Sequence, residues 1–181
     1  MEENNANSNR SSLKKIVLLG PESTGKTTLA RELAKHYEST WVPEYAREYL
    51  NALDRPYQKS DLLEIAKGQI EQEDQQATKA RDILICDTNL WVIKVWSEYK
   101  FGYCHSWIEE QINRRVYDYY LLTDIDIPWH EDPLREHPDQ RGALFQIYHR
   151  HLSRQSVPFE LLAGDQQTRM ERAITLIDSL A

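Results

Sequence analysis

Gly20-Pro21-Glu22-Ser23-Thr24-Gly25-Lys26-Thr27 is the stretch on which the reading of this chain turns. It follows an apolar run, Ile16-Val17-Leu18-Leu19, and precedes a helical pattern over residues 28–37. Strand, glycine loop, helix is the context in which a Walker A match marks a phosphate site. The two glycines let the loop curl so that backbone N–H groups point inward at phosphate oxygens. A helix starting at the same place adds the partial positive charge of its N-terminus. The expected ATP cradle is Gly20, Glu22, Ser23, Thr24, Gly25, Lys26, Thr27 and Thr28. In it Lys26 reaches the β and γ phosphates and the Thr27 hydroxyl ligates Mg²⁺. The loop identifies a bound nucleoside triphosphate, not the use made of it.

Outward from the loop, apolar runs alternate with helical patterns. Lys14–Leu19 reads as a buried parallel strand, and Trp41-Val42 as the end of a second. Ile83-Leu84-Ile85-Cys86, residues 119–122 and Phe159–Leu162 supply three more. Between them, Leu29 and Leu33 share a helical face, and Ser60 is the expected N-cap of a long helix carrying Leu62, Ala66 and Ile70. Ser106 and Glu109 have capping-box spacing for another helix. Residues 141–155 and a C-terminal segment with Met170, Ala173 and Ile177 return to the helical period. Five strands alternating with helices predict an α/β P-loop NTPase: a five-stranded parallel sheet, helices on both faces, right-handed crossovers and a lid segment. Ligands of such sheets gather at the carboxyl ends of the strands. Gly20, Glu44, Asp87, Asp124 and Gly164 all stand there.

The chain has 181 residues, 40% of them hydrophobic, and a formal net charge of −7. One domain over residues 13–181 is expected, with residues 1–12, rich in Asn and Ser, as a disordered tail. The acidic balance argues against broad affinity for a nucleic-acid backbone. No apolar run approaches the length of a membrane span. Two cysteines, Cys86 and Cys104, do not make a disulfide framework. A cytoplasmic protein is the expectation, and the sequence leaves its oligomeric state open.

Several residues past the strands carry candidate chemistry. Asp87 stands where P-loop proteins place the acid that holds Mg²⁺, so Thr27 and Asp87 form the expected metal pair. Thr88 follows it, whereas a mechanical ATPase of the AAA class presents Glu there to polarise water. That disfavours hydrolysis as the main reaction. Glu44 can accept the proton of an attacking hydroxyl or orient that hydroxyl; it can equally form a surface ion pair with Arg47 at i, i+3. Residues 123–140 break all periodicity, and Arg135 within them, with Arg141 just beyond, suits a lid over about residues 126–141 that brings cations over a transferring phosphoryl group. Tyr45, Tyr49, Trp91 and Trp129 fall in or beside loops, and Trp129 between Pro128 and charged residues is the leading platform for a flat ring. His130 and His137 lack the compact ligand spacing and cysteine support of a zinc site.

The whole motif set resembles the ribosylnicotinamide kinase domain of NadR-type NAD-salvage proteins. The matching pieces are GPESTGKTTLA from Gly20, VPEYAREY from Val42, ILICDTN from Ile83 and DIPWHEDPLREHPDQR from Asp126. The resemblance implies transfer of the ATP γ-phosphate, with Mg²⁺, to the 5′-hydroxyl of nicotinamide riboside. It implies catalytic roles for Lys26, Glu44, Asp87, Arg135 and Arg141. It implies an acceptor site among Glu44, Tyr45, Arg47, Asp87, Asn89 and Trp129, and adenine beside residues 164–168. Members of the family with an adenylyltransferase domain carry an HxGH-type motif, and some carry a helix-turn-helix; neither is present in this sequence, and those activities are expected to be absent. A kinase for another nucleoside or nucleotide, or an ATP-dependent switch acting on a protein, are the alternatives. The sequence has no Asn-Lys-x-Asp guanine signature, which disfavours a GTPase.

Overall fold

The alternation of side chains along one central strand sets up both layers of the molecule. In β1 (Lys14–Leu19), Ile16 and Leu18 face one side of the sheet and Val17 and Leu19 the other; all four are buried. A strand apolar on both faces demands cover on both, as parallel sheets require. The computed structural model describes residues 13–136 and 138–180. The tail expected over residues 1–12, and His137, lie outside them.

Five parallel strands lie in the order β2-β3-β1-β4-β5, with β2 at Trp41–Val42, β3 at Ile83–Asp87, β4 at Tyr119–Thr123 and β5 at Phe159–Leu162. On the Ile16/Leu18 face, α1 (Lys26–His36) packs with α7 (Gln166–Asp178) through Leu29, Leu33, Ala173 and Ile177. On the other face lie α3 (Lys59–Lys79), α4 (Leu90–Phe101) and α6 (Arg141–Ser153), the last two through Val95, Leu144, Tyr148 and Leu152. A third cluster lies away from the sheet. There α2 (Tyr45–Ala52) and α5 (Ser106–Arg114) close on α3 and α4 around Ala46, Leu62, Ile65, Ile93 and Ile108.

Two helix starts differ from expectation. The long helix begins at Lys59 with Gln58 as N-cap, not Ser60. Asp61 reaches back to the Gln58 N–H at 2.6 Å and completes a capping box with Gln58. Helix α5 is capped by the His105 ring, which accepts from the Trp107 N–H at 3.1 Å, so the start lies one residue earlier than Ser106 suggested. At Gly68 the ring of Tyr45 lies directly on the helix backbone, and any side chain there would collide with it.

Candidate active site

The loop after β1 curls at the expected place. Gly20 has φ 143°, and a Cβ there would run into Thr123 at the end of β4. Ser23 holds φ 56°, a conformation uncommon for a residue with a side chain. Its hydroxyl accepts from the His130 N–H at 2.9 Å, and its carbonyl accepts from the Arg141 guanidinium at 3.1 Å. Lys26 Nζ donates to the Pro21 carbonyl at 2.6 Å, and burial lowers its pKa against the opposing pull of Glu44, Asp87 and Glu22.

Thr27 Oγ1 donates to Asp87 Oδ2 at 2.6 Å. The other carboxylate oxygen, Oδ1, is buried and has no hydrogen-bond partner among the described residues. Burial pushes Asp87 up, while the Thr27 bond and Lys26 hold it down. A buried, half-satisfied carboxylate beside a hydroxyl at a phosphate loop has the hard oxygen donors that Mg²⁺ prefers, so Thr27 and Asp87 fit that ion. Among the described residues no three His, Cys, Asp or Glu side chains cluster as a metal site. Glu44 follows the short β2 and occupies the N-cap position of α2, its side chain making no cap bond; burial and the neighbouring Asp87 raise its pKa. Arg47 does not turn to Glu44. It pairs with Asp132 of the lid at 2.9 Å.

One cavity of about 370 Å³ is lined by the phosphate loop, by Glu44 and Arg47, by a second group made of Arg55, Tyr57, Trp96, Tyr99 and Tyr148, and by Arg135 and Glu136 of the lid. All of the expected ATP residues line the cavity, as do Glu44, Arg47 and Arg135. The remaining expected site residues lie elsewhere. Asp87 sits beneath Thr27. Tyr45 packs on Gly68 and its N–H donates to Gln69. Asn89 caps α4, accepting from the Trp91 N–H and donating to the Tyr120 hydroxyl. Trp129 lies on the lid under the Arg135 guanidinium, whose carbon is 5.8 Å from the ring centroid. Arg141 opens α6 and donates to the carbonyls of Ser23, Ile125 and Ile127, tying the lid's root to the loop.

Sequence reasoning missed the aromatic wall. In the sequence Tyr57 marks a loop with Arg55 and Pro56, and Trp96 falls on a helical face with Leu90, Val92 and Ile93, so neither stands out as a site residue. It also missed Arg169 of α7, 1% exposed, which donates to the carbonyls of Thr24 at 2.6 Å and Asp124 at 3.1 Å and pairs with Asp126. Its position at i, i+4 from Ala173 on the buried face of α7 was the available signal.

The AAA domain family matches residues 15–169. This chain belongs to the AAA domain family. Two curated relatives are the Trifunctional NAD biosynthesis/regulator proteins NadR of Salmonella typhimurium (strain LT2) and Escherichia coli (strain K12), each 29% identical over 124 residues. Each match covers 66% of this AAA domain chain but only 30% of the relative. A NadR protein crystallised in complex with NR superposes with a TM-score of 0.78 at 24% identity, over 92% of this chain and 51% of that one. Thymidylate kinase from Ehrlichia chaffeensis gives 0.65 at 16% identity, over 91% and 98%. The AAA domain here thus has the fold of P-loop nucleoside and nucleotide kinases, and its resemblance to a NadR-like kinase domain holds over most of the described residues. No helix among them is long and apolar enough to cross a membrane.

Proposed function

We propose that this protein transfers the γ-phosphoryl group of ATP to the 5′-hydroxyl of nicotinamide riboside, giving nicotinamide mononucleotide and ADP. The observation that carries the reading is the charge pattern of the acceptor side of the cavity. Two of its arginines already hold carboxylates: Arg47 pairs with Asp132, and Arg55 forms a two-pronged bond to Asp61 at 2.7 and 2.8 Å, while the third, Arg135, turns to the Ser23 hydroxyl and the His130 carbonyl of the phosphate-loop side. Between that side and the phosphate loop stands Glu44, with Glu22 and Asp87 near it. A monophosphate acceptor would bring its charge against these carboxylates. A nucleoside hydroxyl would instead find an acceptor for its proton. The walls of Tyr57, Trp96 and Tyr99, with Glu136 above, suit a flat cationic ring.

In the reaction the hydroxyl oxygen forms a bond to the γ-phosphorus, the bond to the β,γ-bridging oxygen breaks, and ADP leaves. Glu44 orients the hydroxyl and takes its proton. Lys26 and Arg135 meet charge on the transferring group, and most of the catalysis lies in positioning and charge neutralisation. Thr27 and Asp87 would hold Mg²⁺. Bound there, the ion would neutralise charge on the phosphate oxygens. Support for the acceptor comes from the NadR resemblance. The similar folds of thymidylate and deoxyadenosine kinases keep another nucleoside as the second reading. A switch or ATPase is disfavoured by Thr88, buried where a water-polarising Glu would stand.

The test is a panel of nicotinamide riboside, nicotinic acid riboside, thymidine, deoxyadenosine and thymidine monophosphate, assayed for ADP release with Mg·ATP. Nicotinamide riboside should exceed the others. A larger rate with thymidine or with the monophosphate would refute the acceptor assignment, and rapid ADP release with no acceptor would revive the ATPase.

A further inference from the structure

The geometry points to Tyr57 and Glu136 as a latch that couples acceptor binding to closure of the lid over ATP. The inference rests on the proposed reading of the cavity as two adjoining substrate compartments. Tyr57 stands in the link between α2 and α3 and lines the acceptor compartment. Its hydroxyl lies 2.8 Å from Trp96 Nε1, 2.5 Å from Lys100 Nζ and 2.8 Å from Glu136 Oε2. An indole N–H and an ammonium can only donate. The phenol oxygen therefore accepts from both, and its single proton is directed at the Glu136 carboxylate. Lys100 Nζ also pairs with both oxygens of that carboxylate at 3.1 Å. Trp96 of the acceptor wall and Lys100 of α4 thus direct the Tyr57 proton at the lid tip, which Lys100 also holds directly.

The same lid residue reaches the other compartment through its backbone. The Glu136 N–H donates to Glu22 Oε2 of the phosphate loop at 3.1 Å. Its neighbour Arg135 donates to Ser23 Oγ at 3.4 Å and to the His130 carbonyl. A ring seated against Tyr57 and Trp96 fixes the phenol, the phenol fixes Glu136, and Glu136 brings Arg135 down over the loop. Tyr57 and Glu136 are positioning residues in this scheme: they act on the phosphoryl group only through the lid. Reciprocity then requires that nucleotide tighten acceptor binding by the same factor as acceptor tightens nucleotide. Side chains left part-exposed suit a contact that must break on each turnover, since such ion pairs are individually weak.

Two measurements on the full chain test this. Hydrogen exchange of the unliganded protein should show faster exchange at the amides of His130, Leu134, Arg135 and Glu136 in Tyr57→Phe and in Glu136→Ala, with the strand amides of β1 and β3 unchanged. Affinity for a non-hydrolysable ATP analogue, measured with and without nicotinamide riboside, should rise about tenfold with acceptor in the wild type, equal to about 1.4 kcal/mol. In both variants the rise should fall below about twofold, and kcat should fall more than the KM for ATP rises. Unchanged lid exchange in both variants overturns the latch. So does full acceptor-dependent tightening in either variant, or its absence in a wild type that binds the acceptor. Should nicotinamide riboside not bind the wild type at all, the substrate reading fails, and the exchange arm alone decides the latch.

Discussion

The two compartments of the cavity are built on different principles. The phosphate side is made of consecutive residues, largely through their backbone, between a buried strand and a helix start. The acceptor side is made of single side chains from the link between α2 and α3, from α4, from α6 and from the lid. One is a local motif that any chain can carry intact. The other exists only when four distant pieces pack, and its identity resides in which side chains happen to meet. On the proposed reading, the comparison teaches that fold and phosphate-donor site are set locally, whereas acceptor choice is a property of tertiary packing.

The largest expected effect would break the phosphate side. Lys26→Ala should lower kcat by roughly 10²–10³, the scale for removing one charge-stabilising donor, with the far-ultraviolet circular dichroism unchanged. Activity near wild type in the folded variant would remove the loop from the chemistry. Next, Glu44→Gln sits at the boundary between the halves. It should cost about 10²-fold in kcat with both substrate KM values within about threefold, as expected for a group that acts on the proton. A loss confined to acceptor KM would move Glu44 wholly to the acceptor side.

A smaller effect separates the two lid arginines. Arg135→Ala should lower kcat by about tenfold with little change in the KM for ATP, because its side chain lines the cavity. Arg141→Ala should chiefly raise the KM for ATP, because it holds the Ser23 carbonyl. The reverse pattern would exchange their roles. On the acceptor side, Trp96→Leu should raise the KM for nicotinamide riboside about tenfold, on the scale of one aromatic contact to a cationic ring, and leave that for ATP unchanged.

The smallest effect concerns the scaffold of the acceptor wall. Hydrogen bonds from Arg55 hold the Asp61 carboxyl below its usual range. A group whose folded-state pKa is depressed contributes stability above its unfolded value, and that contribution is lost as pH falls through the folded value. Asp61→Asn should therefore lower the melting temperature near neutrality, and the difference should shrink below about pH 4, the ordinary Asp value. A difference constant from pH 7 to 3 would show that Asp61 contributes through packing alone.

Much of the architecture was legible in the sequence because strand burial on both faces leaves an unbroken apolar run, as in residues 16–19 and 83–86. The loop was legible because its glycines and its Lys-Thr pair are contiguous. Tyr57 and Trp96 were not, because Trp96 satisfies a helical face equally well whether it meets core or ligand, and Tyr57 follows a proline in a stretch with no periodicity. Trp129 drew attention by standing alone in the lid, yet its ring meets Arg135 on that same segment. The cap at Gln58 was hidden for a related reason: Asp61 serves the turn before it and the arginine behind it at once.

Arg169 gives the molecule a fixed pivot. One guanidinium fastens the phosphate loop at Thr24, the end of β4 at Asp124 and the start of the lid at Asp126 to the C-terminal helix. Whatever swings during turnover should therefore swing beyond residue 126, about an axle on which, in the proposed reading, the triphosphate rests. A mutational drift that reshaped the sugar-and-ring side could leave that axle untouched, and with it the grip on the donor.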